Sequence, residues 1–331
     1  MKKTKNITTQ TPTPEEEKLF TSLRAASWAE FAGQEGVKES LRIAIAAARK
    51  RKEAIEHILL YGPPGLGKTT LAHIIGKEMG VNVRVTSGPA LARAGDLASI
   101  LTNLEPYDIL FIDEIHRLNK VVEETLYPAM EDYTLDIVIG KGPGARSVRL
   151  ELPPFTIIGA TTRVGLISSP MRDRFGVVSH LSFYEPKHLE KILGRAAEKL
   201  KVSLHPKVKS ELASRSRGTP RIALRLLKRA RDVAQVEGDG DITEALLTRA
   251  LDMLNIDPLG LDWTDRRYLK TVMDKFNGGP VGIETLAASL SEDIGTLEDV
   301  IEPYLLQIGF IKRSPRGRVT TAQAHKHLGK S

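Results

Sequence analysis

Apolar residues fall at Val37, Leu41, Ile45 and Ala48 with charges on the opposite side, and this spacing predicts an amphipathic helix from about Val37 to Lys52. The pattern then changes. Ile58-Leu59-Leu60-Tyr61 is a short unbroken apolar run bounded by Glu56 and Gly62, followed by a glycine-rich loop and a helical stretch from Thr69 to Met79. This order predicts strand, loop, helix. Val81 to Val85, Ile109 to Ile112 and Thr156 to Ile158 repeat the short apolar run, each followed by polar turns and helical spacing, which predicts a buried parallel sheet. From Glu185 to about Asn255 the pattern is helical throughout, with Leu189, Ile192, Leu193, Leu212, Ile222, Leu226, Leu227, Leu246 and Leu251 in step. Asp257-Pro258-Leu259-Gly260 reads as a linker. Beyond it the pattern predicts three helices, including Thr285 to Leu290 and Leu297 to Ile308, and then a hairpin. Its strands are Phe310-Ile311 and Val319-Thr320, with Pro315-Arg316-Gly317 at the turn.

Residues 1–18 have no apolar periodicity and read as a disordered leader. The division is therefore 1–18 leader, 19–184 α/β domain, 185–255 small helical domain and 256–331 helical domain with a terminal hairpin. A length of 331 residues suits several cores. Cysteine is absent, which removes disulfides and thiolate chemistry and fits a reducing cytoplasm. The basic start Met1 to Asn6 runs into polar Thr8, Thr9 and Gln10, unlike a signal peptide, and no apolar run is long enough to cross a bilayer. The net charge of +7 matters less than its placement. No acid follows Glu302, whereas Lys312, Arg313, Arg316, Arg318, Lys326 and Lys330 do, which suits either a polyanionic partner or a solvated tail.

Gly62-Pro63-Pro64-Gly65-Leu66-Gly67-Lys68-Thr69 carries the first chemistry. Glycines let successive backbone N–H groups turn toward phosphate oxygens, a lysine at Lys68 reaches the β- and γ-phosphates, and the Thr69 hydroxyl ligates Mg²⁺. ATP is the expected ligand. The Ile109 strand ends on Asp113 and Glu114, one to orient Mg²⁺ and the other to polarise a water. Strand neighbours point to opposite faces, so at most one acid faces the metal directly unless the backbone turns there. Gly159-Ala160-Thr161-Thr162-Arg163 ends another strand with a hydroxyl that could meet a γ-phosphate, or is an ordinary strand-exit turn. Arg172 and Arg174, two residues apart, face different ways, and one could stabilise charge during phosphoryl transfer or pair with Asp173. Gly218-Thr219-Pro220-Arg221 places a cation at a helix start, where the dipole disfavours it unless it faces an anion.

In this order the motifs resemble AAA+ ATPases, and more narrowly the RuvB family of Holliday-junction branch-migration motors. The likeness rests on Gly62 to Ala72, Phe111 to Leu118, Met130 to Tyr133, Gly159 to Arg163, Arg172 to Gly176 and Ser314 to Arg318, and runs from about Leu23 to Leu328. It implies an AAA+ P-loop parallel sheet with helices, a small all-helical lid and a C-terminal winged helix. It further implies that Gly65, Gly67, Lys68, Thr69 and Thr70 hold ATP or ADP with Mg²⁺ on Thr69 and Asp113, and that Leu23, Arg24 and Tyr184 flank the base. Glu131, Asp132 and Tyr133 join the nucleotide contacts. Asp113 and Glu114 are the implied hydrolytic acids, Thr162 and Arg221 sense the γ-phosphate, and Arg174 is the finger inserted into a neighbouring subunit's site. The resemblance implies a homohexameric ring on duplex DNA at Holliday junctions, RuvA docked on a hairpin at 135–150, RuvC within a resolvasome, and roles in recombination, repair and the SOS response. Arg313, Arg316 and Arg318 are the expected DNA contacts. Ala25 stands where the family usually has proline, and no basic residue lies near Ile294. A clamp-loader-type ATPase and an ATP-switched DNA-binding regulator are the alternatives.

Overall fold

A computed structural model describes residues 13–139 and 146–329, of which 137–139 and 147 are described by backbone alone. The first element is helix α1 (Pro14–Leu23), so the expected disordered leader does not extend to residue 18. Its start has a local cause. The Thr13 hydroxyl accepts from Glu16 N–H at 3.2 Å, Pro14 sits in the first turn, and Glu15, Glu16 and Glu17 complement the helix dipole. Residues 1–12 lie outside the described residues, as do residues 140–145 of the hairpin expected at 135–150.

The chain divides into two compact units, one of Ala25–Gly62 with Gly67–Ser182, the other of Met1–Arg24, Pro63–Leu66 and Phe183–Ser331. The first unit runs α2 (Glu35–Arg51), β1 (Ile58–Tyr61), α3 (Lys68–Met79), β2 (Val83–Ser87), α4 (Ala94–Leu101), β3 (Ile109–Asp113), α5 (Lys120–Glu131), β4 (Thr134–Ile139), β5 (Arg146–Glu151), β6 (Thr156–Thr161), α6 (Ser169–Arg172) and β7 (Val177–His180). Five strands form a parallel sheet in the order β2-β3-β6-β1-β7. Ile58, Leu59 and Leu60 are completely buried. Burial at about 1.5–3 kcal/mol each offsets the cost of ordering these residues, and pairing with β6 and β7 on either side holds so short a strand in mid-sheet. Strand β2 lies two residues later than the sequence pattern indicates. Strand β7 has no counterpart in that pattern, because Val177 and Val178 are partly exposed at the sheet edge.

Strands β4 and β5 make a separate antiparallel hairpin within residues 134–151. Its register sets Asp136 opposite Arg149, and the guanidinium donates to both carboxylate oxygens at 2.8 and 2.9 Å. That pairing holds the Asp136 carboxyl below its ordinary range.

In the second unit α7 (Pro186–Leu200), α8 (Pro206–Ser214), α9 (Pro220–Glu237) and α10 (Glu244–Met253) form the helical lid. Leu189, Ile192, Leu193, Ala196 and Ala197 make one buried stripe on α7, and Ala223, Leu226, Leu227, Ala230 and Ala234 make another on α9. Helix α1 joins this bundle through Glu16, which pairs with Lys228 at 2.8 Å and Arg229 at 3.3 Å. The winged helix follows with α11 (Trp263–Phe276), α12 (Ile283–Leu290), α13 (Ile294–Thr296), a π-helical segment Leu297–Ile301, α14 (Glu302–Gln307), β8 (Ile311–Ser314), β9 (Gly317–Thr320) and α15 (Ala322–His327). The third helix is thus continuous from Ile294 to Gln307 with a π turn inside it, and α15 is an addition to the expected elements. Gly317 permits the wing. Its φ is +130°, and a Cβ there would lie 2.3 Å from Val281 O, where Val281 and Arg318 exchange two backbone hydrogen bonds. No helix among the described residues is long and apolar enough to cross a membrane.

Candidate functional site

In the first unit the C-terminal ends of β3, β6 and β1 come level, because Leu60 pairs with Ala160, Tyr61 with Thr161 and Ile112 with Gly159. This is the edge at which parallel sheets bind ligands. Gly62 leaves β1 at φ +140°, and a Cβ on it would sit 2.3 Å from Leu181 O, so only glycine fits. Gly67 has φ +100° and opens α3, whose first residue, Lys68, is 7% exposed with Nζ donating to Gly62 O at 2.8 Å. Thr69 and Thr70 follow in the first turn of α3. The loop and helix start therefore offer the glycine-turned backbone, the lysine and the hydroxyl that a nucleoside triphosphate requires.

Asp113 closes β3, and at Glu114 the backbone turns left-handed, with φ +49° and ψ +47°. For a non-glycine residue this conformation costs about 1–2 kcal/mol, and such strain persists where the surroundings impose it. The turn is what frees two consecutive acids from the alternation of a strand. Thr162 Oγ1 donates to Glu114 Oε2 at 3.3 Å. His116 Nδ1 lies 3.3 Å from the same oxygen and 2.8 Å from Thr161 Oγ1. The strand-exit threonine and the second acid of the β3 motif are thus direct partners. His116 is a member of this cluster that motif reading quoted without a role, and only its position two residues after Glu114 signals it.

Arg174 and the Glu131-Asp132-Tyr133 segment occupy the other edge of the sheet. His57 precedes β1 and accepts from Ile157 N–H on Nδ1, which leaves Nε2 to donate to Met130 O at 3.0 Å. Burial pulls the His57 pKa down, in keeping with this neutral ring. Helix α5 carries Glu131 there by descending its 12 residues, about 18 Å. Arg174 precedes β7, whose first residue pairs with the first residue of β1. Its Nη2 contacts Glu131 at 3.0 Å, Nη1 donates to Pro170 O at 2.6 Å, and the guanidinium lies 4.3 Å from the Tyr127 ring centroid. Arg172 turns elsewhere, to Ile167 O. Glu131, Asp132 and Tyr133, expected among the nucleotide contacts, thus stand with Arg174 toward the strand ends opposite Lys68, and Tyr133 packs edge-on against Phe155.

The second unit gathers a further set. Here Pro63–Leu66 packs with the lid: Arg221 N–H donates to Gly65 O at 3.4 Å, and Tyr184 Oη donates to Leu66 O at 3.0 Å. A Cβ on Gly65, at φ +81°, would come within 2.8 Å of the Arg221 Cβ. Arg221 is the second residue of α9, as its motif requires. Burial and then the charge of Arg221 pull Arg24 below the ordinary arginine range, and the same two causes act on Arg225. Glu17 opposes the shift at Arg24 and Glu16 that at Arg225, and at the end of α1 the Leu23 carbonyl accepts from Arg195. Arg225 was not singled out by motif, although it follows Arg221 by one helical turn. The residues after Arg24 have a packing role in the first unit, where Trp28 is buried with Arg42 5.5 Å from its ring centroid. Among the described residues no cluster of three His, Cys, Asp or Glu side chains could hold a metal unaided.

At the wing, Arg316 is exposed in the turn, but Arg318 is not a free cation. Glu302 is completely buried and accepts from Arg318 Nε at 2.9 Å, from Arg313 Nε at 2.9 Å and from Tyr268 Oη at 3.0 Å, while Arg318 Nη2 also reaches Glu298 at 3.0 Å. The two substitutions should therefore separate. Arg316→Ala should flatten the salt dependence of DNA binding by about 0.9 per lost phosphate contact without affecting the melting temperature. Arg318→Ala should destabilise the domain by about 1–3 kcal/mol, through the buried carboxylate it leaves short of a partner. Filter binding against salt and thermal melting read the two effects.

The sequence matches three family models: the Holliday junction DNA helicase RuvB P-loop domain over residues 23–181, the RuvB AAA lid domain over 184–257 and the RuvB C-terminal winged helix domain over 258–329. Among solved structures, Thermotoga maritima RuvB, described as a Holliday junction branch migration motor, is 51% identical with a TM-score of 0.86, covering 93% of this chain and 99% of its own. A mutant of the same Thermotoga maritima protein is similar at 51% identity and a TM-score of 0.88, over 94% of this chain and 99% of its own. By the succession of its three domains and by this identity along nearly its whole length, the chain belongs to the RuvB family.

Proposed function

We propose that this protein is an ATP-hydrolysing DNA motor that drives branch migration of Holliday junctions in recombination and repair, including repair within the SOS response. One observation carries the reading: a single chain joins Lys68, Asp113, Glu114 and Thr162 on one sheet edge to a winged helix whose turn presents Arg316. The first part is a complete hydrolytic set, and the second is a sequence-independent grip on phosphates.

ATP binds with its phosphates on the loop from Gly62 to Thr70, Leu23, Arg24 and Tyr184 beside the base, and Arg221 reporting the γ-phosphate from the lid. Thr69 and Asp113 would hold Mg²⁺. Because this ion keeps phosphate and water ligands, it needs no all-protein cage. When bound it neutralises charge developing on the phosphates. Glu114 orients and deprotonates the attacking water, and Thr162 fixes that carboxylate.

Arg174 serves a neighbouring protomer. What supports this is its position on the edge of the sheet opposite Lys68, a strand height of roughly 17–20 Å away for the six residues of β6. Glu131 and Asp132 act from the same edge. A finger in trans requires an oligomer, and a head-to-tail contact that closes makes it a ring, here a homohexamer around duplex DNA. The hairpin at 135–150 docks RuvA, with RuvC joining a resolvasome, and the protein works in the cytoplasm. ATP-driven dissociation of a synthetic four-way junction tests the reading, with a chelator of Mg²⁺ as the control that stops it.

A further inference from the structure

Arg217 stands four residues before Arg221, in the turn between α8 and α9. Its backbone is left-handed at φ +55°, and Gly218 continues so at +65°. Successive left-handed residues reverse the chain, so that Arg221 turns toward Gly65 while Arg217 turns into the winged helix. There its side chain is only 3% exposed. Nη1 donates to Asp265 Oδ2 at 2.9 Å, Nη2 donates to Val300 O at 3.4 Å, and the guanidinium lies 4.6 Å from the Tyr304 ring centroid. Asp265 is completely buried in the capping box that starts α11, and Tyr304 Oη donates to Leu259 O at 2.6 Å. One lid side chain thereby engages α11, the third helix of the winged domain and, through Tyr304, the segment linking the two domains.

The contacts continue in both directions. Toward the loop, Gly218 O accepts from Tyr184 N–H at 2.8 Å, and Tyr184 reaches Leu66. Toward the wing, Val300 lies in the π turn of a helix whose Glu298 and Glu302 hold Arg318, with Glu302 holding Arg313 as well. π turns inside α-helices occur frequently at functional sites. Burial pushes the Asp265 carboxyl up to about 7 against the opposing pull of Arg217.

We infer that Arg217 is a positioning residue that latches the lid to the winged helix, so that a lid movement set by the nucleotide is delivered to the DNA-gripping hairpin. The inference rests on the motor reading for its purpose and on the Arg217 contacts for its existence, and these separate experimentally. Because the chain has no cysteine, Lys191→Cys on α7 and Lys270→Cys on α11 give two unique spin-label positions, measured after dilution into unlabelled protein. The parent should give a narrow distance distribution. Arg217→Met leaves Asp265 buried without its partner and could unfold the domain, so Arg217→Met combined with Asp265→Asn is the decisive variant. Its amide oxygen still accepts from Asp262 N–H, as the carboxylate does at 2.9 Å.

The double variant should broaden the distribution. It should keep ATP turnover within about twofold of the parent, as expected for a change remote from the chemistry. It should lose about tenfold in junction dissociation per ATP hydrolysed, a loss of the size that coupling elements carry. A distribution as narrow as the parent's overturns the latch whatever the motor does, and so does an unchanged yield of dissociation per ATP. A broadened distribution in a protein whose parent cannot dissociate junctions overturns the motor reading and leaves the latch standing.

Discussion

Replacement of Glu114 by glutamine should lower ATP hydrolysis by about 10²- to 10⁴-fold, the usual contribution of a positioned general base, while ATP still binds. Glutamine has the shape of glutamate, and its amide oxygen can accept the Thr162 hydroxyl as the carboxylate oxygen does at 3.3 Å. The left-handed backbone at residue 114 makes the same demand on either side chain. What disappears is the capacity to take a proton from water. Lys68, proposed to hold phosphate beyond β1, is separated from the β3 end by β6 and is untouched. Steady-state turnover together with titration of a fluorescent ATP analogue reads the two properties separately. Turnover at the parent rate would remove Glu114 from its role. Weakened binding would mean that the residue holds the nucleotide or the loop.

Under the proposed action in trans, Arg174→Ala should lower hydrolysis by about 10³- to 10⁵-fold, the range that an arginine finger supplies. The substitution also removes the Glu131 pair and the stacking on Tyr127. Those contacts, on a side chain 19% exposed, account for about 1 kcal/mol of stability, too little to explain such a fall. The informative experiment mixes Arg174→Ala subunits with Lys68→Ala subunits. In a mixed ring an intact loop on the first kind meets an intact finger on the second, and hydrolysis returns at those junctions. No recovery in rings verified as mixed would contradict action in trans.

The hydrolytic strand ends were legible because each is a local pattern: glycines at fixed offsets, an apolar run closing on two acids, a threonine at the next strand end. The same holds for the buried stripes of α7 and α9. The rest was set by partners distant in sequence. Arg318 belongs with the exposed basic tail by composition, yet Glu302 claims it from 16 residues away. Arg217 looks like any lid arginine until Asp265, 48 residues on, is found against it. Glu131 was placed among the nucleotide contacts by the family resemblance alone, and the descent of α5 sets it beside Arg174. The left-handed turn at Glu114 was required by the chemistry of two adjacent acids and could be anticipated as a condition. Nothing in residue type announces it, since glutamate is a poor choice for that conformation. Strand β7 escaped because an edge strand need not be apolar on both faces.

Dissociation of a labelled synthetic four-way junction, followed with ATP in the presence and absence of RuvA, tests the central claim most directly. The account predicts that the parent converts the junction to branched duplex products, with Lys68→Ala and Glu114→Gln inactive and chelation of Mg²⁺ stopping the reaction. Brisk ATP hydrolysis with the junction left intact under both conditions would contradict it.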